Sequence, residues 1–242
     1  MAGAATWGLV ALTLTLCYLV GSIPFAYIIV RMVAAEDITA HGTGNVGSMN
    51  VRRTTGSWVW FAVAVLGDGF KGLIPTFVAK AVLAGATPLL VFGTRPWGVT
   101  LASATSGWWP QPASWVPMAA VAGCVLGHNY SCWMAVIKRR FARTGKGLAT
   151  GAGALLAYDW RYFVAVLVVG LGFIAVTRYM MAGQVAAAAT LPAAAGVLRS
   201  PDWPFALAMG LVVYAAHHKR FVGLLQGKEP RLYIQDGGGP RG

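Results

Sequence analysis

The chain has 242 residues, 57% of them hydrophobic and only 11% charged, where an ordinary soluble domain carries about 25% charged residues. With a mean hydropathy of +0.62, that composition argues against a water-soluble fold and predicts an all-α, polytopic integral membrane protein. The formal charge of +12 comes from 19 Lys plus Arg against 7 Asp plus Glu, but the cations sit between apolar runs, which disfavours nucleic acid as a partner and points to loops that set topology.

In chain order, the runs 6–33, 57–84, 114–136, 146–158, 161–177, 182–198 and 203–217 are candidate spans, seven in all. The first basic residue is Arg31, so the leading run lacks the positive segment of a cleaved signal peptide and is expected to stay in the protein. Inside it, Gly21-Ser22-Ile23-Pro24 predicts a kink, because proline removes a backbone hydrogen bond. In the second run, Asp68 and Lys71 are three residues apart, a spacing that predicts an ion pair on one helical face and favours a structural role over a catalytic one. The stretch 85–113, with Gly85, Pro88, Gly93, Pro96, Pro110 and Pro112 among Trp97, Trp108 and Trp109, reads as a loop at a membrane interface. The run 146–158 is shorter than the ~20 residues that cross a bilayer and reads as tilted, partial or re-entrant. Residues 1–231 are expected to form one membrane-embedded domain, and the Gly-rich 232–242 a disordered tail.

Basic clusters at Arg52 and Arg53, at Lys138, Arg139, Arg140, Arg143 and Lys146, at Arg178, and at Lys219, Arg220, Lys228 and Arg231 all fall on one side of an alternating seven-span path. The positive-inside rule then places the amino terminus outside and the carboxyl terminus in the cytoplasm, with Arg161 and Arg199 as exceptions. Cys17, Cys124 and Cys132 are odd in number and lack metal-ligand spacing. Neither a disulfide framework nor a metal site is expected, and no cofactor is implied.

Three polar segments on the cytoplasmic side could carry chemistry. In His41-Gly42-Thr43-Gly44-Asn45-Val46-Gly47-Ser48-Met49-Asn50-Val51-Arg52-Arg53, the glycines let the backbone approach an anion, Thr43 and Asn45 can donate hydrogen bonds, and an arginine supplies a charged fork. An ordinary turn followed by topology-setting arginines is the other reading. The second segment pairs Gly127-His128-Asn129-Tyr130 with Arg143-Thr144-Gly145-Lys146-Gly147-Leu148-Ala149-Thr150. It places an ammonium and free N–H groups at a positive helix end, without the glycine spacing of a Walker A loop. There Lys146 reads as an anion ligand or an interface lysine, and His128 as a packing or a site residue. The third runs from His217-His218-Lys219-Arg220 to Gly227-Lys228-Glu229, where a hold on anionic lipid is the simplest role. Adjacent histidines on a helix face different directions, which disfavours a metal site.

These ordered blocks together resemble the bacterial acyl-phosphate:glycerol-3-phosphate acyltransferases, the PlsY family, over about Gly21 to Arg231. Gly21 to Phe25 resembles its opening signature, Gly42 to Arg53 its first motif, Gly127-His128 with Gly145 to Thr150 its second, and His217 to Glu229 its third. The resemblance implies a seven-span enzyme of the bacterial inner membrane with its active site facing the cytoplasm. Its substrates would be acyl phosphate and glycerol 3-phosphate, its surroundings the lipid bilayer, and its products lysophosphatidic acid and phosphate. An upstream enzyme that forms acyl phosphate would be a partner. Thr43, Arg53, His128 and His217 become candidates for catalysis, and Gly42, Gly44, Asn45, Gly47, Asn50, Gly145, Lys146, Gly147 and Arg220 for substrate binding. The chain departs from the family's usual residues at four points. Thr43 replaces serine, Met49 replaces threonine, Thr144 interrupts paired glycines, and Arg220 replaces asparagine. A transporter or flippase for a phosphorylated small molecule, and a paralogue with altered activity, are the alternatives.

Overall fold

The computed structural model describes residues 2–83 and 114–229; the loop expected at 85–113 and the tail expected at 232–242 lie outside them. Ten α-helices account for most of the described residues. They are α1 (Ala2–Gly21), α2 (Phe25–Ala34), α3 (Ser48–Thr55), α4 (Trp58–Leu83), α5 (Trp115–Asn129), α6 (Cys132–Lys138), α7 (Leu148–Tyr158), α8 (Trp160–Thr177), α9 (Met180–Val197) and α10 (Trp203–Leu225).

Five helical segments among them are long and apolar enough to cross a membrane: Ala4–Ala34, Trp58–Leu83, Trp115–Lys138, Trp160–Thr177 and Met180–Val197. Their outer faces carry large apolar side chains that a soluble protein would bury, such as Val176 at 86% exposure together with Val168, Leu171 and Phe173 on α8. Such a surface is stable against hydrocarbon. The short run expected at 146–158 is α7, whose 11 residues span about 16 Å, roughly half the hydrocarbon thickness. A helix ending at that depth must satisfy its last carbonyls internally. Lys80 of α4 does this, its Nζ donating to the Ala157 and Tyr158 carbonyls at 2.8 Å each.

Helix α1 packs on α5, α4 on α7, α8 on α9, and α9 on α10. Between α4 and α7 the backbones touch, and a methyl group built on Gly153 would overlap the Gly69 carbonyl, as one on Gly72 would overlap that of Thr150. Small residues at such crossings gain dispersion contacts, which replace the hydrophobic driving force that lipid does not supply.

Two helix breaks face one another. The kink predicted at Gly21–Pro24 is a full break between α1 and α2, and α5 stops at Asn129 before α6 begins. The Ser131 hydroxyl donates to the Ser22 carbonyl, the Cys132 amide donates to Ser22 Oγ at 3.4 Å, and Lys71 Nζ donates to the Ile23 carbonyl at 2.8 Å. Lys71 also pairs with Asp68 at 2.8 Å, the pairing that the three-residue spacing predicts. Cys17 and Cys124 are free and buried where α1 meets α5.

Two boundaries differ from the sequence expectation. Helix α10 runs on to Leu225 rather than ending at 217, so His217 to Arg220 are helical residues and not a juxtamembrane loop. Asn50 and Arg53 lie on α3, a polar helix without the apolar periodicity that would announce it. Replacing Gly153 by alanine should destabilise the protein by about 1–3 kcal/mol through overpacking, read as a lowered Tm in detergent.

Candidate active site

The Gly-rich segment between α2 and α3 is pinned from below by apolar side chains. Ile38, Val46 and Val51 are buried together with Ala26, Ile29, Val30, Ala64 and Met134, so a loop that reads as polar still contributes to a core. Asn50 gathers the loop from within. Its amide nitrogen donates to the carbonyls of Ile38 at 2.9 Å, His41 at 3.0 Å and Asn45 at 3.0 Å. Gly42, at φ +54°, crosses directly over the Asn50 side-chain oxygen and beside the Arg53 stem, where no Cβ would fit. Gly42, Thr43 and Gly44 are left exposed at the tip. Farther out, His41 pairs with Glu36 at 2.8 Å, and Lys138 pairs with Asp37, which also caps Thr39.

The second segment joins the first through its backbone. The Val46 amide donates to the Thr144 carbonyl at 2.8 Å, and the Thr144 amide donates to the Asn129 carbonyl at 2.8 Å. Thr144, one of the four departures, has work of its own: its hydroxyl donates to the His128 carbonyl at 2.8 Å and accepts from the Ser131 amide at 3.3 Å. A glycine there would lack both side-chain bonds. Gly145 rests on the His128 ring, and Gly147, at φ +73°, rests on Asn129. Beyond them Leu148 starts α7, so Lys146 stands just ahead of the free N–H groups of that helix.

The third segment closes over the second. Arg143 donates from Nε to the Gly145 carbonyl at 3.1 Å and from Nη2 to the Ala216 carbonyl, strapping the lysine loop to α10. Arg220 grips Glu229 with two parallel hydrogen bonds, Nε to Oε1 at 3.0 Å and Nη2 to Oε2. His217 is buried and its neighbour His218 exposed, as adjacent helix positions require. The His217 Nδ1 lies 2.7 Å from the Val213 carbonyl. A carbonyl only accepts, so Nδ1 carries the proton, and in the neutral ring Nε2 holds a lone pair. Among the described residues, no group makes a hydrogen bond to that Nε2.

Arg53, Arg143, Lys146 and Arg220 thus converge, among the described residues, with the carboxylate of Glu229. Burial, then the neighbouring Arg220 and Arg143 guanidinium groups, push the Lys146 ammonium down to about 8, with Glu229 opposing and Arg53 adding to the push. Such a cluster is destabilised until an anion enters it. The structure gathers Gly42, Thr43, Gly44, Asn45, Gly47, Asn50, Arg53, Gly145, Lys146, Gly147, His217 and Arg220 around three adjoining segments, whereas the ring of His128 lies beneath the loop, facing Asp68 at 3.5 Å. Sequence reasoning did not single out Arg143 as a site residue. Its position three residues before Lys146 in a charged run was the available signal.

Comparisons with known proteins agree with one another. The sequence profile described as Glycerol-3-phosphate acyltransferase matches residues 11–227. A glycerol-3-phosphate acyltransferase of Rhodospirillum rubrum is 32% identical over 227 residues, covering 92% of each chain. One from Thermus thermophilus is 33% identical over 234 residues, covering 95% of this chain and 96% of the other. A crystal structure of PlsY, an integral membrane glycerol 3-phosphate acyltransferase in its glycerol 3-phosphate form, superposes with a TM-score of 0.68 at 25% identity. It covers 92% of this chain and 94% of that one.

The lowered Lys146 value makes a pH test possible. The cationic form is half populated at about 8, predominates below it and is lost above it, so an anion bound there is released as pH rises. Affinity for inorganic phosphate, measured by calorimetry, should weaken about tenfold from about pH 7 to about pH 9, and Lys146→Arg should abolish that slope.

Proposed function

The chain belongs to the glycerol-3-phosphate acyltransferase family, and on that premise we propose that it transfers a fatty acyl group from acyl phosphate to the 1-hydroxyl of glycerol 3-phosphate. The convergence of four cations and two glycine-bearing loops at one end of the helical bundle carries this reading, because both substrates are phosphate anions. Among the described residues that cluster holds Glu229 and no paired carboxylate, which fits a transfer in which no water is activated.

The hydroxyl oxygen attacks the acyl carbonyl, the new ester C–O bond forms, and the bond between carbonyl carbon and phosphate oxygen breaks. Inorganic phosphate leaves, and the hydroxyl proton ends on it. His217, with its lone pair at Nε2, accepts the hydroxyl hydrogen bond and aims the oxygen at the carbonyl. Lys146 and Arg53 hold the glycerol phosphate, with the amides around Gly145 to Gly147 and the loop Gly42 to Gly47, including Gly44 and Asn45, lining the second phosphate. Thr43, exposed at that loop's tip, supplies a hydroxyl donor. Arg143 and Arg220 stabilise negative charge growing on the departing phosphate, an electrostatic contribution that needs no rearrangement during the reaction. Asn50 shapes the first loop. The acyl chain lies between helices, where it exchanges with the bilayer.

Placement in the membrane follows the basic residues. The seven-span arrangement takes the five apolar segments together with α7 and α10, with the amino terminus outside and the active site facing the cytoplasm of a bacterial inner membrane. Residues 1–231 act as one domain, and an acyl-phosphate-forming enzyme supplies the donor.

Incubating purified protein with long-chain acyl phosphate and radiolabelled glycerol 3-phosphate should yield labelled lysophosphatidic acid; folded protein that forms none would overturn the assignment. Arg53→Ala and Lys146→Ala should each lower kcat/KM by about 100-fold or more, and near-parental kinetics in both would reject the shared phosphate site.

A further inference from the structure

The proposed chemistry leaves one buried polar chain unused. Asp68, Lys71 and His128 are 3%, 5% and 8% exposed; Asp68 Oδ1 pairs with Lys71 Nζ at 2.8 Å and faces His128 Nδ1 at 3.5 Å, a nitrogen that makes no hydrogen bond among the described residues. Lys71 is committed on its other side to the Ile23 carbonyl in the break between α1 and α2. His128 is committed upward. The Nε2 edge of its ring lies directly beneath Gly145, so closely that a methyl group there would overlap it. Its carbonyl accepts the Thr144 hydroxyl at 2.8 Å.

We propose that Asp68 is a positioning residue for Lys146: with Lys71 it fixes the His128 ring as the floor under Gly145, and that floor sets where the neighbouring ammonium stands. The inference rests on the reading that Lys146 binds substrate phosphate. Lys71 satisfies the Ile23 carbonyl and Asp68 neutralises Lys71, so that pair serves the fold. The same Asp68 oxygen also faces the His128 ring nitrogen at 3.5 Å, and a carboxylate there orients the ring edge as a methyl group would not. The segment above the ring needs that anchor. Residues 139–147 contain no helix, and displacing the ammonium that holds the glycerol phosphate weakens that hold without touching the reacting bond.

The network also explains why the helix break and the lysine loop are adjacent. Ser131, which follows the second break, bonds both to Ser22 and to Thr144. Asp68 therefore sees the break through Lys71 and the loop through His128, and one carboxylate holds two irregular segments in a common frame.

The test is the double variant Asp68→Asn/Lys71→Gln, which removes both charges and keeps an amide able to donate to the Ile23 carbonyl. Its thermal midpoint should stay near parental. Hydrogen exchange at the amides of Thr144 to Gly147 should rise about tenfold while that of α8 and α9 is unchanged, and KM for glycerol 3-phosphate should rise about tenfold with kcat altered by less than about threefold. His128→Phe, which keeps a ring but removes its nitrogens, should reproduce the local exchange change. Parental exchange and KM in the double variant would overturn the proposal, as would a loss of protection spread over the whole chain, which marks a role in folding alone. Unmodified protein that makes no lysophosphatidic acid would instead remove the acyltransferase reading, and the exchange result would still decide whether Asp68 governs the loop.

Discussion

The structure depends on how an interrupted helix is satisfied inside a membrane. Breaking the first span at Gly21–Pro24 frees backbone carbonyls where water is scarce, and each unsatisfied one would cost several kcal/mol. Lys71 and Ser131 take up the Ile23 and Ser22 carbonyls. That solution creates its own demand, because a buried ammonium needs a counter-charge, which Asp68 supplies. The break is what brings α4, α5 and α6 into one polar contact.

Above that contact, two irregular segments become ordered without regular hydrogen-bonded structure. Glycine-rich chain has much conformational entropy to lose, and two devices offset it. Apolar pins such as Ile38, Val46 and Val51 bury into the bundle, and side chains such as Asn50 and Thr144 take over backbone hydrogen bonding. The segments then bond to each other through Val46 and Thr144. Thr144 shows how a departure from a family's usual residue can be absorbed: it breaks a glycine pair and adds a hydroxyl that ties the loop to the end of α5.

Charge is distributed on a different principle. In the bundle, the cations Lys71 and Lys80 are satisfied by a carboxylate or by carbonyls. At one end of the bundle, Arg53, Arg143, Lys146 and Arg220 share Glu229 among the described residues, leaving positive charge in excess. Internal pairing serves the fold, and the unpaired excess forms the electrostatic basis of the anion binding proposed above. The Arg220–Glu229 fork partly neutralises a site that would otherwise repel itself, and Arg220 is the position where the family usually carries a neutral amide.

Hydropathy was sufficient to show a helical membrane protein, because spans must be apolar over a fixed length, and the polar segments between those spans are the ones that adjoin in the fold. The Asp68–Lys71 pair was legible for a similar reason, since three-residue spacing on a helix leaves few alternatives. The sequence did not show that α10 continues to Leu225, that Asn50 and Arg53 lie on α3, or that Arg143 straps the lysine loop. Nor did it separate His128 from His217. Both are histidines near apolar runs, yet one lies under Gly145 facing a carboxylate and the other holds a free lone pair beside the cations. Local pattern determines which residues are available at a membrane face, whereas their direction and partners follow from long-range packing between segments about a hundred residues apart in the chain, such as Ser22 and Ser131, and only the folded backbone decides it.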